Sequence, residues 1–268
     1  MAIGDLRIEP GKAPHLDRRD PGARIGADGK MAGLERLAAQ VERLSVLHNH
    51  LFAEATRSVL LVLQGLDASG KDGTIRNVLT GVSPQGCRVV SFREPTSTEL
   101  AHDFLWRVHL QCPARGELAI FNRSHYEDVV AVRVRGLATD SVWRPRYEHI
   151  RNFERMLVHE GTTVVKVFLH LSRDEQRVRL QQRVDNPEKR WKFRAGDLED
   201  RRHWDDFQAA YEEAIRETSI DEAPWYVVPA DHNWVRNLAV AEIVVAALER
   251  LDPQLPEPDP AIDGLRVV

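Results

Sequence analysis

The run Val59-Leu-Leu-Val-Leu63 leads almost directly into Gly65-Leu-Asp-Ala-Ser-Gly-Lys-Asp-Gly73. Five consecutive apolar residues bounded by glycine are too few for a helix and predict a strand buried on both faces. Four residues separate Gly65 from Gly70-Lys71, the spacing of a phosphate-binding loop between a strand and a helix. Glycines let successive backbone N–H groups converge on an anion, and the helix start adds partial positive charge. Gly65, Ala68, Ser69, Gly70, Asp72, Gly73 and Thr74 are therefore candidate phosphate contacts, with Lys71 reaching the outer phosphates.

The rest of the chain repeats this alternation. Further short strands are expected at Arg88–Phe92, Glu117–Phe121, Thr162–Leu171 and Trp225–Val228, five in all. Helices are expected over about 31–56, 70–82, 98–110, 126–135, 144–160, 173–184, 198–218 and 234–251. Strands alternating with crossover-length helices argue an α/β fold, a five-stranded parallel sheet wrapped on both sides. Residues 1–30 read as an irregular N-terminal arm, 31–252 as one domain with a helical insertion, and the proline-rich 253–268 as a tail.

Composition narrows the class. With 268 residues, 43 % apolar and 29 % charged, the chain can bury a full core. A formal charge of −4 gives no basic field for nucleic acid. No apolar run approaches the roughly 18 residues of a membrane span. Met1–Pro10 carries Asp5, Arg7 and Glu9 and lacks a signal peptide's apolar stretch. Cys87 and Cys112 fall in no metal or redox spacing, so a reducing, cytoplasmic setting is expected. Of 37 basic residues only six are lysine, a skew that arginine-rich codon usage explains better than phosphate binding does. In so lysine-poor a chain, Lys71 at a motif position is less easily dismissed as filler.

Two further constellations carry chemistry. Phe121-Asn-Arg-Ser-His-Tyr-Glu-Asp128 ends the third expected strand, where phosphate-loop enzymes commonly place a metal-holding carboxylate. Here Asn122 stands there, followed by Arg123, a candidate phosphate contact. Glu127 could compensate as a metal ligand, or it and Asp128 could serve the helix dipole. Within the loop, Asp72 replaces the usual magnesium-binding hydroxyl and Asp67 adds a carboxylate that could hold the metal instead, or stabilise the turn. The third constellation is the basic stretch 173–202, broken by Asn186-Pro187 and containing Arg183, Lys189, Arg190 and Lys192. It reads as a closing lid over about 183–203, against a solvated helix face as the alternative. His48-Asn-His50 places two histidines on opposite helix faces, which disfavours a metal site.

The three motifs, with Asn186-Pro-Glu-Lys-Arg-Trp-Lys-Phe193, resemble the family-2 polyphosphate kinases from about residue 6 to 255. Asn122 with Glu127-Asp128 resembles the subgroup called class III, associated with phosphorylating nucleoside mono- and diphosphates. The resemblance implies a P-loop kinase-like three-layer fold with a helical lid. It implies catalytic roles for Asp67, Lys71, Arg123 and Arg183, with Asp67, Asn122 and Glu127 around Mg2+ (or Mn2+). It also implies Arg93 on a polyphosphate channel. Inorganic polyphosphate and AMP, ADP, ATP or guanine nucleotides would be substrates, and a homo-oligomer, dimer or tetramer, would be the assembly. Two other readings stay open on the residues alone: an ATP-dependent nucleotide kinase, and a non-catalytic phosphate- or nucleotide-binding module.

Overall fold

A computed structural model describes residues 3–260 and 265–266; the other positions of the expected arm and tail lie outside the described residues. Six strands form one sheet: β1 (Arg7–Ile8), β2 (Ser58–Gln64), β3 (Cys87–Ser91), β4 (Leu118–Asn122), β5 (Thr162–His170) and β6 (Trp225–Pro229). Their order is β1-β6-β5-β2-β4-β3, and all neighbours run parallel except β1, which pairs antiparallel with β6. Every residue of β2 is buried, as its uninterrupted apolar run requires. Each valine or leucine so buried contributes roughly 1.5–3 kcal/mol of transfer free energy.

Helices of eight residues or more are α1 (Lys30–Glu54), α2 (Lys71–Val78), α3 (Arg146–His159), α4 (Arg173–Asp185), α5 (Ala195–Arg202), α6 (Trp204–Thr218) and α7 (Asn233–Leu251). One core cluster joins Leu37, Leu44, Leu47 and Leu51 of α1 and Val78 of α2 to the apolar face of α7 beneath the sheet. The opposite cluster joins Phe153 of α3 and Phe207 and Tyr211 of α6 to Phe121 and Phe168. Three layers result, with the carboxyl ends of β2 and β4 opening on one crevice.

The sheet has six strands where five are expected. The sixth comes from the expected irregular arm: Arg7 and Ile8 pair with Tyr226 and Trp225, and Leu6, Ile8, Leu16 and Ile25 are buried. A two-residue strand has too few positions for an alternation to show in sequence. Three expected helices are broken. The segment 98–110 becomes short turns Ser97–Leu100 and Trp106–His109, and the expected helix 198–218 divides at His203 into α5 and α6. The expected helix 126–135 is a 3-10 turn at His125–Asp128 followed by Ala131–Val134.

Candidate active site

The loop leaves β2 at Gln64 and enters α2 at Lys71. Gly65 (φ 148°) and Gly70 (φ 102°) occupy backbone regions that side chains rarely adopt, and a Cβ on Gly65 would meet Leu169 O at 2.9 Å. Ala68 also takes a left-handed conformation, φ 64°. The loop's first helical N–H groups have no side-chain cap and point outward from α2. Lys71 is buried, its Nζ donating to Gly65 O at 2.6 Å and Leu66 O at 3.2 Å. Burial, with Arg123 adding repulsion, lowers its ammonium to about 8.

Beside it, β4 delivers Asn122 and Arg123. Arg123 sits at φ 63° and its N–H reaches back to Leu63 O, which fixes the turn against β2. Its guanidinium donates to Asp67 Oδ1 at 2.5 Å and to Glu127 Oε2 at 3.4 Å. Burial opposes ionisation of Asp67, but Arg123, Lys71 and Arg183 together hold its carboxyl below the usual range. Asn122 Nδ2 donates to Asp72 Oδ1 at 2.8 Å. Behind these, Gln64 bridges Ser124, Tyr211 and Glu127, with its amide oxygen accepting from Ser124 and its nitrogen donating to Glu127 at 3.1 Å.

The basic stretch arches over the loop. After Asn186-Pro187 a 3-10 turn (Arg190–Lys192) and α5 complete it. Lys192 Nζ lies 3.6 Å from Asp72 and stacks on the exposed Trp191 ring, while Arg183 pairs with Asp197 at 3.3 Å. Lys189, Lys192, Arg183 and Arg93 all face the same cavity as the loop. Arg190 does not: its Nε turns back to the Val184 carbonyl at 2.7 Å, closing the end of α4. Ala68, Gly70, Lys71, Asp72 and Gly73 line the cavity, whereas Gly65, Ser69 and Thr74 form the layer behind it.

Sequence reasoning missed Arg236 and Gln176 and did not single out Arg179 from its basic neighbours. Gln176 Nε2 donates to Asp67 O at 3.0 Å, Arg179 Nη1 donates to Ala68 O and Ser69 O, and Arg236 presses on Gly70 from α7. Only the tertiary fold brings these residues to the loop. His125 is buried against Glu154 in the core, within a network that also holds Lys166, Tyr126 and Thr218. His48 and His50 face the carbonyls of Gly86 and Pro253 respectively.

Among the described residues, no group of three or more His, Cys, Asp or Glu side chains is arranged to hold a metal by itself. Asp67 and Glu127 nevertheless offer hard carboxylate oxygens beside the loop. Magnesium is commonly bound by one or two carboxylates together with substrate phosphates, so this donor set fits it. Asn122 presents its amide nitrogen, not its oxygen, to its nearest partner.

The cavity occupies about 2200 Å3. Fifteen lysines and arginines against ten carboxylates line it, so it carries a cationic excess in a chain whose net charge is negative. No helix among the described residues is long and apolar enough to cross a membrane.

A glycine loop between buried strand and helix, a buried lysine, and arginines converging under a basic arch define a phosphate-loop phosphotransferase. The chain belongs to the polyphosphate kinase 2 (PPK2) family, whose model matches residues 28–256. It is 59 % identical over 260 residues, 97 % of each chain, to an AMP/ADP-polyphosphate phosphotransferase of Meiothermus ruber. It is 49 % identical to an ADP-polyphosphate phosphotransferase of Rhodopseudomonas palustris, over 85 % of this chain and 83 % of that one. The fold matches the crystal structure of polyphosphate kinase 2 from Arthrobacter aurescens with a TM-score of 0.92 at 42 % identity, covering 97 % and 93 % of the two chains.

Proposed function

We propose that this chain transfers the terminal phosphoryl group of inorganic polyphosphate to a nucleoside mono- or diphosphate, and that the reaction runs in both directions. The observation that carries this reading is the cavity. About 2200 Å3 exceeds the roughly 300–1,000 Å3 of an ordinary small-molecule site, leaving room for a nucleotide and a polyanionic chain together. The relatives named for AMP, ADP and polyphosphate support the same substrates.

The acceptor oxygen on a nucleotide's terminal phosphate is already anionic, so no general base is required. It attacks the terminal phosphorus, the bridging P–O bond breaks, and polyphosphate leaves one unit shorter. Catalysis reduces to positioning and charge neutralisation. Lys71, Arg123 and Arg183 grip the transferring group, and the loop N–H groups of Ala68, Gly70, Lys71, Asp72 and Gly73 cradle its oxygens. Arg93, Lys189 and Lys192 extend the cationic track, and residues 183–203 act as the lid. Arg190 supports the lid's turn rather than the substrate. Asp67, with Glu127, would hold a divalent cation, magnesium by preference, which when bound neutralises phosphate charge. Asn122 acts through Asp72. We also propose that the chain works in the cytoplasm as a homodimer or homotetramer and accepts adenine or guanine nucleotides.

The test is purified protein with magnesium, long-chain polyphosphate and AMP or ADP, resolved by ion-exchange chromatography. ADP and ATP should appear while polyphosphate shortens. No product from either acceptor, with product from ATP and AMP, would instead establish an ATP-dependent nucleotide kinase.

A further inference from the structure

The peptide carbonyls on the far side of the phosphate loop end on guanidinium groups from two different helices. Arg179, on α4, donates through Nη1 to Ala68 O at 3.1 Å and Ser69 O at 3.3 Å. Its Nη2 ties the same guanidinium to Ala230 O and Asp231 O at 2.8 Å, beyond the end of β6. Arg236, on α7, lies against the other side. Its Nη1 is 3.4 Å from Ser69 O, and Asn233 and Asn237 hold its orientation through their Oδ1 atoms at 2.7–3.2 Å.

Three observations separate Arg236 from an ordinary structural arginine. It is 2 % exposed, and among the described residues it has no carboxylate ion-pair partner. Burying a charge without a counter-charge is costly, and Arg179 nearby adds repulsion. The loop is also shaped around it. A Cβ on Gly70 would lie 2.0 Å from Arg236 Nη1, and one on Gly73 would lie 3.2 Å from Nη2. Gly70 therefore lacks a side chain for two independent reasons, its φ of 102° and the guanidinium beside it.

We propose that Arg236, with Arg179, is a positioning residue that orients and polarises the loop peptides for phosphate binding. This rests on the reading of the loop as a phosphate cradle. In a trans peptide the C=O and the following N–H point in opposite directions. Anchoring the Ser69 carbonyl behind the loop aims the N–H of Gly70 away from the guanidinium groups, toward the anion, while the Ser69 N–H closes the turn on Leu66 O at 3.1 Å. A cation on the carbonyl also draws charge from the peptide and strengthens its N–H as a donor. The positive charge left without a protein partner behind the loop is balanced when substrate phosphate arrives in front of it.

The test measures phosphate affinity apart from turnover. Tripolyphosphate is titrated into wild type, Arg236→Lys, Arg236→Met and Arg179→Met by calorimetry, with thermal melts in parallel. Wild-type binding establishes the cradle itself; its absence would overturn the phosphate reading rather than this one. Given wild-type binding, Arg236→Met should bind about tenfold more weakly, the scale of losing a group that orients a binding one. Its melting temperature should stay close to wild type, since a buried unpaired charge has been removed. Arg236→Lys should recover part of the affinity, and Arg179→Met should show a similar loss. Unchanged tripolyphosphate affinity in a folded Arg236→Met would overturn the proposal. So would failure of both Arg236 variants to fold, which would make the residue purely structural.

Discussion

Lys192 Nζ lies 3.6 Å from Asp72 Oδ2, which joins the tip of the basic arch to the first turn of the phosphate-loop helix. Asn122 holds the same carboxylate from β4 at 2.8 Å. Burial opposes ionisation of Asp72, but the Asn122 bond and the Lys192 charge keep its carboxyl below the usual range. The contact spans three separate parts of the chain, yet Asp72 is 68 % exposed, so it adds little to stability.

That exposure sets the first prediction. Replacing Lys189 and Lys192 with alanine should leave the melting temperature nearly unchanged. Exposed cation–phosphate attractions are screened over about 8 Å at physiological ionic strength. The KM for long polyphosphate should therefore rise steeply with salt in wild type and more gently in the double variant. Initial rates across a potassium chloride series check this, and equal slopes in both proteins contradict it.

Lys71 gives the second. Lys71→Ala should lose at least about a hundredfold in kcat, the scale of one transition-state contact, while keeping a cooperative melt. Burial lowers its ammonium to about 8, and in the proposed role only the charged form grips phosphate. The kcat/KM for polyphosphate should accordingly be highest below pH 8 and fall as pH rises through it. Lys71→Arg, which cannot lose its proton, should flatten that alkaline limb at a lower overall rate.

The third concerns Asp67. Asp67→Asn should raise the divalent-cation concentration needed for half-maximal rate, since a neutral amide is a weaker ligand for a hard cation. A magnesium titration of the initial rate reads this directly. Unfolding of the variant with an unchanged cation requirement would assign the side chain to the turn instead.

The fourth lies in the core. Lys166 and Glu154 pair at 2.5 Å with both side chains essentially inaccessible. Removing one charge strands the other, a loss of about 3–5 kcal/mol. For a chain of this size Lys166→Met should lower the melting temperature by roughly 10 °C. Lys166→Met combined with Glu154→Leu should recover much of that loss in a differential scanning calorimetry series.

What could be read beforehand was what is encoded locally. Residues 59–74 declare strand, loop and helix through consecutive residues, and residues 121–128 follow a strand of the same kind. The contacts of Arg236 could not be read, because its role depends on α7 crossing behind a loop 167 positions earlier. Arg190 shows the reverse. Its basic neighbours suggested substrate contact, but the free carbonyl of Val184 at the end of α4 captured its side chain. The break at His203 was hidden because residues 195–218 keep helix-forming composition on both sides of it.

The pairing of β1 with β6 also sets an order on biosynthesis. Arg7 is synthesised well over a hundred positions before its partner Tyr226. Until residue 229 has emerged, Leu6 and Ile8 have no sheet edge to cover, and β5 lacks its outer neighbour. The nascent chain therefore carries Leu6 and Ile8 unsheltered while β2, β3, β4 and β5 are made, and the sheet closes only once β6 has emerged. Until then those apolar side chains are open to other apolar surfaces, a hazard that the finished sheet removes.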